Sequence, residues 1–287
     1  MGARWRFAWV AAVLLSSSLV AEGPRVISMA PHLPEMAFAV GAGDTLVGVV
    51  DWSDYPSEAT ALPSIGDAYR FDLERIMALD PDLALAWHGG TPVRAVERLE
   101  QIGIEILWIE SHSLEQIAEA LVILGQRLGT AEVGARVATE FRTALADLER
   151  AAATNDSNLR VFYQASARPL YTLGGRHVIN EVFALCGLEN IFADLDIEAT
   201  VVDFEAVVAA RPELIIAGIE NSTNDPLTDW KNSDLIDPGQ TTLHQVEPTL
   251  LVRPTPRIIE GIEFICRLAG DWHQRPENRD DQGGRDP

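Results

Sequence analysis

The sequence predicts an α/β protein of two similar Rossmann-like lobes joined by one long rigid helix. Three observations carry this expectation: an internal repeat, an alternation of strand-like and helix-like runs, and a dense helix-forming stretch between the two copies. Residues 72–86 read Asp-Leu-Glu-Arg-Ile-Met-Ala-Leu-Asp-Pro-Asp-Leu-Ala-Leu-Ala. Residues 203–217 read Asp-Phe-Glu-Ala-Val-Val-Ala-Ala-Arg-Pro-Glu-Leu-Ile-Ile-Ala. Asp, Glu, Ala, Pro, Leu and Ala recur at the same offsets, and two copies point to paired lobes, since a solenoid needs more and shorter units.

Taken in order, the elements begin with an N-terminal segment unlike the rest. Arg4 and Arg6 precede an apolar run from Phe7 to Leu15, and small residues lead to Ala21. This is the layout of a cleavable secretory signal over residues 1–21, and the run is short for a membrane span. A lobe over residues 22–129 follows. Its strands are expected at Arg25-Val-Ile, Thr45–Val50, Leu83–Ala86 and Glu105–Ile109, with helices at Val93–Gln101 and Leu114–Leu128. In each repeat unit the leading Asp is a good N-cap, and the acid two residues on favours the positive helix end. The helix stops before proline, and the apolar run beyond reads as a buried parallel strand.

Residues 130–156 join the lobes. Helix formers dominate Thr130 to Ala153, and Asn155, Asp156 and Ser157 lie in a loop-forming break. The second lobe covers residues 157–270 and opens with the strand-like Arg160-Val-Phe. Residues 271–287 are polar and rich in Pro, Gly and Asp, the composition of a disordered acidic tail.

The chain has 287 residues and a formal net charge of −21, and losing Arg4 and Arg6 leaves the remainder more acidic still. Such a surface gains nothing from nucleic-acid phosphates, so a nucleic-acid partner is not expected, while a basic protein surface would attract it. The two cysteines, Cys186 and Cys266, are too few and too far apart for a metal site. In an exported chain they form a disulfide or remain two buried thiols. Enzyme signatures are missing: the sequence has no G-x-S-x-G elbow, phosphate loop, H-E-x-x-H or G-x-G-x-x-G.

Several stretches carry a resemblance. They include Arg25-Val-Ile-Ser, Pro34-Glu-Met-Ala-Phe-Ala-Val-Gly, Ser53-Asp-Tyr-Pro, Asp72-Leu-Glu-Arg-Ile, Ala86-Trp-His-Gly-Gly, Cys186-Gly-Leu-Glu-Asn-Ile-Phe and Arg253-Pro-Thr-Pro-Arg-Ile. In order and spacing, from about Arg25 to Ala269, the chain resembles periplasmic binding proteins of the iron-siderophore, haem and cobalamin class. Ser-Asp-Tyr-Pro and Ala-Trp-x-Gly-Gly draw it towards the cobalamin-binding (BtuF-type) branch.

The resemblance implies a ligand cleft between the lobes, a corrinoid as transported ligand rather than cofactor, and delivery to the permease and ATPase of an ABC importer by a periplasmic monomer with no enzymatic activity. It implies ligand contacts at Trp52, Trp87, Tyr171, Thr249 and Arg253, with Tyr55 and Tyr69 nearby. His32, His88 and Gly89 are weaker candidates. Glu74 and Glu205, the acids that the repeat also singles out, correspond to the family's permease-docking glutamates; by themselves they are also explained as helix N-terminal acids. Two pocket tryptophans of the family are Ala68 and Ala199 here, and an aspartate is Thr249. Those departures keep two alternatives open in the same fold. Haem would take an axial ligand such as His32, His88 or His177. A ferric siderophore would need basic groups such as Arg70, Arg168, Arg176 and Arg253.

Overall fold

The computed structural model describes residues 23–152, 158–218 and 225–274; the expected signal segment lies outside them. The first half alternates β1 (Val26–Ser28), α1 (His32–Ala39), β2 (Leu46–Val49), α2 (Leu73–Leu79), β3 (Leu83–Trp87), α3 (Val93–Gln101), β4 (Glu105–Ile109) and α4 (Leu114–Arg127). Helix α5 (Ala131–Ala152) then crosses to the second half. This contains β5 (Leu159–Gln164), β6 (Ser166–Ala167), β7 (Leu170–Leu173), α6 (Ile179–Leu185), β8 (Leu188–Asn190), β9 (Ala199–Val201), α7 (Phe204–Ala210), β10 (Leu214–Gly218), α8 (Thr228–Lys231), β11 (Thr242–Val246), α9 (Thr249–Val252) and α10 (Ile258–His273).

The first sheet has the order β2-β1-β3-β4 and the second β8-β5-β10-β11, all neighbours parallel. With β5 matched to β1, the two sheets have one topology, so the repeat extends to the whole lobe. Its chemistry is kept at the strand starts. The Arg25 N–H donates to Asp82 at 2.8 Å and the Arg160 N–H to Glu213 at 2.6 Å. In return, the N–H groups of Asp82 and Glu213 donate to the carbonyls of Arg25 and Arg160, both at 2.8 Å.

The repeated helices end alike. Asp80 and Arg211 take left-handed conformations, with φ of 47° and 48°, directly before Pro81 and Pro212. A residue before proline avoids the right-handed helical region, and a left-handed residue is a common way to stop a helix. Their starts differ. Asp72 accepts a hydrogen bond from the Arg75 N–H at 3.0 Å. Asp203 makes no side-chain cap; its backbone carbonyl takes the N–H groups of Ala206 and Val207 instead. The expected side-chain cap is therefore present in one copy only.

Helix α5 has 22 residues, which at about 1.5 Å per residue makes a strut of about 33 Å. It packs on α4 at Gly125 and Gly134, where a Cβ on Gly125 would lie 2.9 Å from the Gly134 Cα. Only glycine allows that approach. Phe141 and Leu145 of α5 belong to one apolar cluster with Leu33 and Leu121 of the first lobe and Phe183 and Ile262 of the second. Burial is thus continuous across the lobe boundary.

Cys186 and Cys266 form a disulfide joining the end of α6 to α10. Helix α10 continues through His273, so the expected tail start at residue 271 falls inside its last turn; residues 275–287 lie outside the described part. The sequence reading also missed a small antiparallel sheet of order β6-β7-β9.

Candidate functional site

In a parallel sheet all carboxyl ends share one edge, where α/β proteins hold their ligands. In the first lobe that edge carries His32 after β1, Trp52 after β2, Trp87 at the end of β3 and His112 after β4. Thr249 follows β11 in the second lobe, and Tyr171 lies on β7 opposite Val201 and Ser166.

Trp87 is held from several sides. Its backbone N–H donates to Thr91 Oγ1 at 2.9 Å. Its ring folds over Gly89 and Gly90; a Cβ on Gly89 would fall 2.2 Å from it, which explains the glycine pair at this point. His32 meets the indole edge-on with centroids 5.0 Å apart, and His112 stacks at 6.2 Å.

Each of the four strand ends also presents a buried polar atom without a hydrogen-bond partner among the described residues. These are His32 Nε2, Ser53 Oγ, Trp87 Nε1 and Ser111 Oγ.

Trp52 is 76% exposed and has φ of 68°, a strained value for an aromatic residue. Arg253 holds it from the other lobe. The guanidinium donates to the Trp52 carbonyl at 3.0 Å and to Asp54 Oδ1 at 2.5 Å. Arg253 is therefore largely buried and already partnered across the cleft.

Two further ties cross the boundary. Thr255 Oγ1 donates to Glu35 Oε1 at 2.5 Å, and Arg257 Nη1 lies 3.6 Å from Glu35 Oε2. Burial pushes the Glu35 carboxyl up, against the opposing pull of Thr255 and Arg257. On the far side of the cleft, the Leu114 N–H at the start of α4 donates to Glu181 Oε2 at 2.7 Å. His112 Nδ1 lies 3.8 Å from Glu198 Oε2, whose pKa is raised by burial against the pull of Arg176.

The remaining candidates are scattered. Tyr55 lies under Arg257, 4.0 Å from guanidinium to ring centroid, in a groove of about 370 Å³ with Glu35, Phe38, Pro56 and Pro256. Tyr69 is 79% exposed on the loop where its N–H meets Asp67. Thr249 begins α9 and donates its hydroxyl to Glu247 at 3.0 Å. His88 stacks on Trp108 with Nε2 3.9 Å from Glu110.

His177 is buried, its Nδ1 accepts the Ile179 N–H at 3.0 Å and its ring also meets the Val252 backbone, so it is unsuited to an axial role; burial lowers its pKa to about 4. Burial, then Arg253, lowers that of His32 to about 3. Among the siderophore candidates, Arg168 is paired with Asp229 at 3.0 Å. His112 was missed in the sequence: a lone histidine carries no periodic signal, and its neighbours come from other elements.

Residues 26–237 match the family model for periplasmic binding proteins. A vitamin B12-binding protein of Vibrio campbellii is 37% identical over 257 residues, 88% of this chain and 93% of that protein. One of Pectobacterium atrosepticum is 38% identical over 94% of this chain and 97% of its own length. The crystal structure of the periplasmic vitamin B12-binding protein BtuF of Vibrio cholerae superposes with a TM-score of 0.79, at 34% identity over 88% of this chain and 99% of that one. A periplasmic haem-binding protein from Roseiflexus, at 20% identity and a TM-score of 0.73, shares the fold.

Proposed function

The chain belongs to the periplasmic binding protein family, and from that premise we propose that it captures cobalamin or a related corrinoid between its lobes and hands it to an ABC importer. The observation that carries this reading is the 37% identity kept over 93% of a vitamin B12-binding relative. The site geometry agrees with it. Trp52 and Trp87 offer aromatic surface to a large macrocycle.

Capture is then a binding event without turnover. Arg253 positions Trp52, and Tyr171 and Thr249 face the ligand from the second lobe; Tyr55 and Tyr69 are secondary contacts. Glu74 and Glu205 are exposed at the second positions of α2 and α7, helices of one repeat. Two equivalent carboxylates on two lobes fit a partner with paired basic pockets, so they are assigned to permease docking. Residues 1–21 are assigned to export, lobes 22–129 and 157–270 to the clamp, and the working unit to a monomer.

The test is a titration of the purified protein with cyanocobalamin, dicyanocobinamide and haemin, by calorimetry and visible spectra. One-to-one corrinoid binding is expected. A haemin complex with no corrinoid binding would overturn the ligand while leaving the clamp.

A further inference from the structure

The two copies of the repeat differ at the amino ends of their strands. In the first lobe the Arg25 guanidinium closes the end of α2, donating to the carbonyls of Leu79 at 2.6 Å and Asp80 at 2.9 Å. An arginine there satisfies carbonyls that the helix itself leaves open. The equivalent arginine of the second lobe, Arg160, makes no such contact, and its guanidinium has no hydrogen bond or ion pair with a described residue. The position of Asp80 is taken by Arg211, whose guanidinium is likewise unpaired among the described residues.

Both arginines line a cavity of about 540 Å³ together with Val208, Leu235, Ile236 and Trp272. It lies where β5, β10 and β11 begin, at the opposite edge of the second sheet from the cleft. The volume is that of a small-molecule site. Its apolar side includes Leu235, a large aliphatic side chain left 63% exposed. Most other polar groups of the wall already have partners. Glu213 accepts the Arg160 N–H at 2.6 Å, Asp237 accepts the Gly239 N–H at 2.9 Å, and the Thr241 hydroxyl donates to the Pro212 carbonyl at 2.8 Å. In a chain of net charge −21, two unpaired guanidiniums thus share one cavity with two carboxylates that each hold a backbone donor.

We propose that this cavity is a second binding site, for a small anion that carries an apolar ring. Arg160 and Arg211 hold its carboxylate or phosphate, and Trp272, Leu235 and Ile236 cover the ring. A guanidinium presents planar pairs of donors that match carboxylate and phosphate oxygens, and an indole offers flat area to a ring. Because the site opens at the other edge of the sheet, it fills independently of the cleft and does not need the corrinoid reading.

The test titrates the purified protein with phenyl phosphate and with benzoate, by saturation-transfer NMR and calorimetry. Inorganic phosphate and benzyl alcohol supply the anion and the ring alone. At least one ring-bearing anion is expected to bind one-to-one with a Kd of about 1 mM or below, at least about tenfold tighter than either fragment. The tighter of the two identifies the head group. Arg160→Gln and Arg211→Asn should each weaken that binding at least about tenfold. Asparagine is chosen because it tolerates the left-handed backbone that Arg211 holds, and thermal melts check that both variants fold. Arg94→Gln, which alters an exposed arginine on α3 of the first lobe, should bind as wild type does. Binding that survives both cavity substitutions, fragments that match the ring-bearing anions, equal loss in Arg94→Gln, or no binding of either anion at about 5 mM would each overturn the site.

Discussion

Replacing Glu35 with alanine removes the acceptor of the buried Thr255 hydroxyl and the carboxylate beside Arg257. A hydrogen bond to a charged group contributes about 1.5–3 kcal/mol. The Arg257 contact at 3.6 Å adds about 1 kcal/mol or less, because that side chain keeps some solvent and its stack on Tyr55. Lost packing of the side chain adds about 1 kcal/mol, and relief from burying a charge returns part of the total. The net cost is about 3 kcal/mol, which lowers Tm by about 6–12 °C in a protein of this size.

Glu35→Gln keeps the shape and an acceptor for Thr255, so it should cost less than about 1 kcal/mol near neutral pH. The pH dependence separates the two effects further. A carboxyl raised by burial takes up a proton on folding, so its contribution is full below its unfolded pKa and is lost as pH rises through the folded one. Relative to wild type, Glu35→Gln should therefore improve as pH rises above about 4. Thermal melts followed by circular dichroism across that range test this. Glu35→Ala melting within about 1 °C of wild type, or Glu35→Gln falling as far as alanine, would refute the reasoning.

Further outcomes follow from the same geometry. Arg253→Ala frees the Trp52 carbonyl and Asp54 together and should weaken cyanocobalamin binding by about 10–100-fold in calorimetry, with Arg253→Lys between. Glu74→Arg and Glu205→Arg should leave cyanocobalamin affinity unchanged and abolish stimulation of the partner ATPase in proteoliposomes; unchanged stimulation would remove the docking role. His177 is buried neutral with its pKa lowered to about 4, so its contribution is present above its unfolded value and is lost as pH falls from about 6.5 towards 4. His177→Asn should flatten that acid limb in urea titrations at about pH 7 and about pH 5, where a protonating histidine costs up to about 1.4 kcal/mol per pH unit.

Much of the scaffold was readable because burial imposes period and order on a sequence. Helix α3 and strand β4 fall on their expected residues, and α5 falls within the helix-rich stretch from Thr130 to Ala153. The repeat located two helices and two strands whose symmetry extends to the whole sheet order. Short elements set by their partners were not readable. Strands β6 and β9 have two and three residues, too few to establish an alternation, and exist by pairing with β7.

The ties between lobes were hidden for a related reason. Thr255 and Glu35 are 220 positions apart, and Leu114 and Glu181 are 67 apart. No local pattern announces such a meeting. The Asp203 side chain illustrates the reverse: a good local cap that the fold leaves unused.

The Cys186–Cys266 bond lies within a closed circuit of attachments. Starting from Glu35 on α1, the circuit passes through Thr255 and Arg257 into α10, across the sulfur bridge into α6, and out through Glu181 to the amino end of α4. Helices α1 and α4 share one apolar cluster, which closes the path. It crosses between the lobes twice, and its far half is held by a covalent bond. Tilting one lobe against the other must therefore load both crossings together, so the molecule resists opening as a hoop does, around its whole perimeter. Cutting the bridge with a reductant leaves the packing of α10 on α6 in place, so the hoop slackens at that point without coming open.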